Sequence, residues 1–246
     1  MVKAQKKRLD QILVDSGLAD SQEGAMRLIR AGVVYINEEI ADKPGMLFAV
    51  TAAIRVKEKT PYVSRGGIKL QGALEHFNIQ PEGWICADVG ASSGGFTDCL
   101  LQHGARHVFA IDVAYGQLDW KLRTDHRVTV HERLNIKNIN STHISKKLDL
   151  AVFDASFISL TTIIPPILPF FGSVTRILAL IKPQFELPRH EVESGGVVKD
   201  RHLRLKAIER VEAFGTSQDF QTIGVIPSAI KGPKGNQEYL IYFKRS

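Results

Sequence analysis

The apolar positions change period partway along the chain. Leu9, Ile12 and Leu13 recur at helical spacing until Ser16-Gly17 stops them, and Asp20-Ser21-Gln22-Glu23 has the form of a capping box opening a second helix. That helix would bury Ala25, Leu28 and Ile29 and end at Gly32, and Val33-Val34-Tyr35-Ile36 and Ile54-Arg55-Val56 then read as short strands. After Lys59-Thr60-Pro61 the register changes. Gly66-Gly67 precedes a helical stripe of Leu70, Ala73, Leu74 and Phe77, and strand-like apolar runs follow at 85–89, 107–113, 128–131, 148–153, 177–181, 222–226 and 239–243. Apolar runs separated by helix-length segments predict a parallel, doubly wound α/β sheet. The last pair, joined by Lys231-Gly232-Pro233-Lys234-Gly235-Asn236, predicts an antiparallel hairpin. The expected organisation is a small α+β module over 1–60, a linker over 61–65 and an α/β unit over 66–246.

Composition narrows the class. A chain of 246 residues with 44% hydrophobic content has room for one good core and a small appended module. The net charge of +6 leans towards acidic partners such as nucleic acid. Cys86 and Cys99 form no C-x-x-C pair, so both are expected in the core, with no disulfide framework and no metal site. MVKAQKKRLDQ carries charge without an apolar run behind it, unlike a signal peptide. The apolar stretch 158–171 is broken by Pro165, Pro166 and Pro169 and is too short to span a bilayer. A cytoplasmic setting without membrane contact is expected.

The most informative stretch is ADVGASSGGFT, residues 87–97, a strand running into a glycine-rich turn that opens a helix. A triphosphate loop of this spacing needs a lysine where Phe96 stands, and a dinucleotide fingerprint needs a glycine spacing that Gly90, Gly94 and Gly95 do not give. What remains is an acid, Asp88, before a small-residue turn of Gly90, Ser92 and Ser93, and a second acid, Asp112, at the end of the next strand. Asp112 can accept two ribose hydroxyls, and Asp88 can support the amino-acid end of a sulfonium donor, directly or through water. The arrangement resembles the S-adenosylmethionine site of a Rossmann-like methyltransferase. A glycine turn serving only packing is the competing reading.

Methyl transfer to an alcohol needs a nucleophile, methyl and sulfur in line, water excluded and a group to take the proton. Open α/β sheets bind ligands at the carboxyl ends of their strands. Asp154 and Lys182 end the fourth and fifth strand runs, Lys69 lies in the first turn after Gly66-Gly67, and Glu238 opens the last strand. An ordinary lysine is neutral in only roughly one molecule in 2,500 at pH 7, so a lysine base must be depressed by about three units. A structural salt-bridge cluster is the alternative use of these four residues. Phe96, Trp120, Phe157 and Phe185 could stack an adenine or a flipped base, with most of them expected in the core. Asn135 is a candidate for the adenine end, and Gly195-Gly196-Val197 for a hinged loop over the acceptor site. Lys6, Lys7, Arg8, Arg27 and Arg30 could form a phosphate-contacting face, or a solvated helix face.

Two resemblances sharpen these readings. RLDQILVDSGLADSQEGAMRLIRAGVVYIN resembles the S4 RNA-binding domain, although Gln22 stands where most such domains have a basic residue. DVGASSGGFTD, AIDVAYGQLDWKLRTDHRV, HERLNI, FDASF, LIKPQFE, GGVVKD and IKGPKGNQEYLIYF, in this order, resemble the TlyA family of ribosomal RNA ribose methyltransferases, some of whose members are called haemolysins. The catalytic half is also similar to FtsJ-like 2'-O-methyltransferases, whose Lys-Asp-Lys-Glu tetrad falls on Lys69, Asp154, Lys182 and Glu238. The resemblance implies that Lys182 is the base, Asp154 orients it, and Lys69 and Glu238 complete the pocket. It also implies S-adenosylmethionine as donor and cytidine riboses in rRNA of the small or large ribosomal subunit, or both, as targets. The donor site would then comprise Asp88, Gly90, Ser92, Ser93, Gly94, Gly95, Phe96, Asp112, Asn135 and Asp154, and Arg65 would join the RNA contacts. Two alternatives stay open. A base N-methyltransferase would be expected to carry prolines in the Asp154-Ala155-Ser156-Phe157 loop, and a non-catalytic RNA-binding assembly factor would bind the donor without turnover.

Overall fold

The computed structural model describes residues 6–30, 33–37, 39–56, 61–232 and 234–246. The chain forms two compact units, Met1–Lys59 and Thr60–Ser246.

The smaller unit runs β1 (Lys6–Arg8), α1 (Leu9–Asp15), α2 (Gln22–Arg30), β2 (Val34–Ile36), β3 (Glu39–Ile40), β4 (Leu47–Ala49) and β5 (Ile54–Val56). β1 pairs with β4, and β2 lies between β3 and β5, all antiparallel. Leu9, Leu13, Ala25, Ile29, Val34 and Ile36 close its core, as helical and alternating periods require. The start of α2 differs in detail from the expected box: Ser21 Oγ accepts the Gly24 N–H at 3.1 Å, so the cap is Ser21 and glycine occupies the position a reciprocal acid would need. Leu28 is only half-buried. Gly32, expected to end α2, and the Lys59-Thr60 boundary lie outside the described residues.

The larger unit continues with α3 (Gly66–His76), β6 (Ile85–Val89), α4 (Gly95–Gln102), β7 (His107–Ile111), α5 (Trp120–Arg123), β8 (Val128–His131), β9 (Leu150–Phe153), α6 (Leu160–Ile163), β10 (Thr175–Ile181), α7 (Pro183–Glu186), α8 (Arg201–Ser217), β11 (Gln221–Pro227) and β12 (Tyr239–Arg245). Its sheet order is β11-β12-β10-β9-β6-β7-β8. β6 to β10 are mutually parallel, and β12 runs antiparallel between β10 and β11, as the hairpin reading requires. Alternate strand residues separate two cores. Cys86, Val108, Val152 and Leu178 pack with Leu70 and Leu74 of α3 and with Cys99 and Leu100 of α4. Ala87, Phe109, Phe153 and Ile177 pack with Ile163 of α6 and Val211 of α8. The proline-rich run after α6 forms a 3-10 helix over Pro165–Phe170, since its prolines cannot donate the backbone bonds of a regular α-helix.

Gly66 and Gly67 form the first turn of α3 rather than preceding it. A Cβ at Gly67 would overlap the Tyr62 ring, so glycine lets the preceding segment lie against the helix. That segment, expected as a linker, is packed on the larger unit. Val63 N–H donates to Asp98 Oδ2 at 2.8 Å, Gln102 Nε2 to the Pro61 carbonyl at 2.9 Å, and the Tyr62 hydroxyl to Gln71 Oε1 at 3.1 Å.

Candidate active site

The glycine-rich turn is built by its ties to neighbouring strands. Gly90 and Ala91 N–H both donate to the Ile111 carbonyl, and Gly94 N–H closes the turn on the Ala91 carbonyl at 2.7 Å. Gly90 and Gly94 have φ of 87° and 94°, the left-handed region that glycine enters without strain. A Cβ on Gly90 would also lie 2.9 Å from the backbone of Ala155, so the turn and the chain after β9 touch through their main chains.

Two carboxylates serve this turn in different ways. Asp112, just past β7, accepts Ser92 N–H on Oδ2 and Ala114 N–H on Oδ1, each at 2.7 Å. Each oxygen keeps one lone pair for a further donor. Asp88, 0% exposed, accepts the Thr97 hydroxyl on Oδ2 at 2.7 Å, while its Oδ1 is buried with no hydrogen-bond partner. Burial pushes the Asp88 carboxyl up to about 7, against the opposing Thr97 hydrogen bond.

The four charged residues form two ion pairs. Lys69 Nζ meets Glu238 Oε2 at 2.5 Å, both buried, and Lys182 Nζ lies 2.6 Å from Asp154 Oδ1, outside hydrogen-bond angles. Lys182 Nζ also donates to Ser156 Oγ at 3.0 Å. A cavity of about 350 Å³ unites the parts: its wall includes Gly90, Ser93, Gly95 and Phe96 from the turn, together with Lys69 and Asp154. Ser92 lines this cavity and also a small cleft shared with Asp112, Gln117 and Glu132. Gly94 turns away from it, its missing Cβ leaving room for Leu122.

Several expected residues lie elsewhere or act differently. Asn135 is exposed and caps the 3-10 turn Ile136–Asn138 through the Lys137 N–H, next to Leu134, whose N–H donates to the Asp112 carbonyl. Phe96 is a core residue that also edges the cavity. Trp120 is 73% exposed, and Phe157 is 91% exposed at φ 65° with its ring centroid 5.0 Å from that of Phe185. The Gly195-Gly196 loop is tied on its C-terminal side by Asn236, which donates to the Gly196 carbonyl and accepts the Val198 N–H, each at 2.8 Å.

Of the expected RNA contacts, Lys6, Arg27 and Arg30 are exposed. Lys7 pairs with Asp15 at 2.7 Å, and Arg8 pairs through two nitrogens with buried Asp10, to which Gln22 also hydrogen-bonds. The Arg8 guanidinium holds the Asp10 carboxyl below the usual range. Arg65 lines the cavity and donates to the Lys231 carbonyl at 3.0 Å. Ser64, Ser156 and Lys231 were missed by sequence reasoning. Ser156 had a signal, since it stands two residues past Asp154; Ser64 and Lys231 come to the cavity only through the packing of 61–65 and of the last hairpin.

Residues 62–245 match the FtsJ-like methyltransferase family and residues 7–52 match the S4 domain. A relative from Mycobacterium tuberculosis, the 16S/23S rRNA (cytidine-2'-O)-methyltransferase TlyA, is 43% identical over 98% of this chain and 91% of its own. A solved structure from Streptococcus thermophilus with a provisional hemolysin description is 38% identical at a TM-score of 0.76, covering 99% of this chain and 90% of that one. A provisional S-adenosylmethionine-dependent methyltransferase from Listeria monocytogenes, 16% identical at a TM-score of 0.52 over 74% of this chain and 98% of its own, shares the fold. Among the described residues no helix is long and apolar enough to cross a membrane. With both domain models matched in order and a relative this similar along nearly its whole length, the chain belongs to the TlyA family of S4-domain, FtsJ-like methyltransferases.

Proposed function

We propose that the protein transfers a methyl group from S-adenosylmethionine to the 2'-hydroxyl of a cytidine in ribosomal RNA. The observation that carries this reading is the shared cavity, whose wall joins the glycine turn to one member of each lysine–carboxylate pair. The similarity to a relative named as a cytidine-2'-O-methyltransferase supports the target.

The residues present fit the donor. The unpartnered Asp88 Oδ1 is an acceptor suited to an ammonium, and the free lone pairs of Asp112 suit ribose hydroxyls. Gly90, Ser92, Ser93, Gly95 and Phe96 would hold the donor between them, with Asp154 at the reacting end. When bound, S-adenosylmethionine supplies an electrophilic methyl carbon on a cationic sulfur. Lys182, once neutral, takes the 2'-hydroxyl proton at Nζ, and Asp154 and Ser156 aim that nitrogen. Lys69 and Glu238 balance each other's charge beside the cavity, so neither is left as an uncompensated buried ion.

RNA recognition is divided. The exposed Lys6, Arg27 and Arg30 of the S4-like unit would contact phosphates of the small or large ribosomal subunit, or both, which makes capture salt-sensitive. Arg65 and Lys231 put two cations at the cavity. Phe157, exposed beside Asp154, offers a ring on which an unstacked base can lie.

Lys182→Ala tests the chemical assignment. Transfer falls by at least about 100-fold, as removal of a general base predicts, while donor affinity stays within about twofold. Equal loss of both would make the lysine structural.

A further inference from the structure

Glu186 is a buried acid that the reaction does not use. Only 2% of its surface is exposed, and it closes α7, the single turn that follows Lys182. Its two oxygens have separate partners: Oε2 accepts the Ser159 hydroxyl at 2.6 Å and Oε1 accepts the Leu160 N–H at 2.9 Å. Ser159 and Leu160 lie at the far end of the loop that begins at Asp154. One side chain therefore ties together the two segments that carry the reacting groups, Asp154, Ser156 and Phe157 on one and Lys182 and Phe185 on the other.

Neither segment is held by its own secondary structure. α6 and α7 have four residues each, far below the length at which a helix is stable alone. Phe157 holds φ at 65°, a conformation a non-glycine residue keeps only when its surroundings over-determine it. At its near end the loop is fixed by the Asp154 N–H bond to the Val89 carbonyl. Glu186 fixes the far end. Desolvating a carboxylate is costly; both hydrogen bonds that offset the cost go to the loop opposite Lys182, and the charge of Arg210 on α8 adds to them.

Resting on the reading of Lys182 and Asp154 as the reacting pair, we propose that Glu186 is a positioning residue for methyl transfer: it sets the distance between the Asp154–Phe157 loop and the Lys182–Phe185 turn. It touches neither donor nor RNA. Its effect is on how well Lys182 Nζ and the Phe157 ring are aimed, to which a displacement of about 1 Å can matter by roughly 100-fold in rate.

The test compares Glu186→Ala, Glu186→Gln, Ser159→Ala and Lys182→Ala in the full chain with ribosomal subunits and S-adenosylmethionine. For each, kcat, donor Kd and thermal midpoint are measured. Glutamine keeps the reach, accepts from Leu160 N–H, and can donate to Ser159 Oγ, whose own proton can turn to Thr161 Oγ1 2.8 Å away. The expected result is a kcat lowered about 10- to 100-fold in Glu186→Ala, a smaller loss in Ser159→Ala and a rate within about threefold of wild type in Glu186→Gln, with donor Kd unchanged in all three. Three results overturn the proposal: wild-type kcat in Glu186→Ala, parallel loss of donor binding and kcat, or a Glu186→Gln as slow as Glu186→Ala. If Glu186→Ala does not fold, Ser159→Ala decides alone, and a wild-type kcat there overturns the proposal. An active Lys182→Ala would instead remove the underlying reading of the lysine, a failure distinguishable from that of Glu186.

Discussion

Asp88 and Thr97 face each other across the start of α4, with the threonine hydroxyl satisfying only one of the two buried carboxylate oxygens. Because burial raises the folded pKa of Asp88 to about 7, well above the unfolded value near 3.9, ionising it costs stability. The contribution is fully present below about pH 4 and is lost as pH rises through about 7. Without donor, wild type should therefore lose thermal stability relative to Asp88→Asn over that interval. A donor ammonium favours the ionised carboxylate, so donor affinity should rise with pH up to about 7 and then level off. In Asp88→Asn it should be weaker and flat. Calorimetric titration at several pH values checks this, and a pH-independent affinity in wild type would remove Asp88 from the donor site.

Gly232 sits against Glu238 so closely that a Cβ there would overlap Oε1. Gly232→Ala should displace the carboxylate from Lys69 and lower transfer by about tenfold or more, the cost of disturbing a buried ion pair. Donor affinity should change far less. Parallel kinetics and donor titrations read the difference; an unchanged rate would mean that the Lys69–Glu238 pair is not needed in its observed position.

Phe157→Ala should weaken use of RNA rather than of donor. Stacking of a base on an aromatic ring is worth about 1 to 3 kcal/mol, so kcat/KM for the ribosomal substrate should fall roughly 5- to 150-fold with the donor Kd unchanged. Phe157→Trp should retain most of the activity. Steady-state kinetics against both substrates separate this from a folding defect, which would lower donor binding as well.

Much of the scaffold is legible because strands and helices impose different periods. The parity of residues along β6 to β10 divides cleanly between the two cores, and the glycine turn after β6 and Asp154 after β9 line the cavity from strand ends marked in the sequence. The four charged residues could be picked out singly, but their pairing as Lys69 with Glu238 and Lys182 with Asp154 depends on distant segments meeting, which periodicity does not encode. Glu186 was silent for the same reason: its partners Ser159 and Leu160 belong to another crossover. Asn135 shows the converse. Its position after β8 suggested a ligand, and its Oδ1 also meets a local need that the pattern did not reveal, capping a short turn. The Gly195-Gly196 pair suggested freedom, and the tie from the buried Asn236 side chain to Gly196 and Val198 was not visible in the pattern.

The most direct measurement incubates the protein with isolated small and large ribosomal subunits and labelled S-adenosylmethionine, then locates the new methyl by nuclease digestion and mass spectrometry. The account predicts a methyl on the 2'-oxygen of a cytidine, absent with Lys182→Ala. A methyl on a base would contradict it and make the Asp154–Phe157 loop an amine-holding site; donor binding with no methyl on either subunit would leave an RNA-binding protein without turnover.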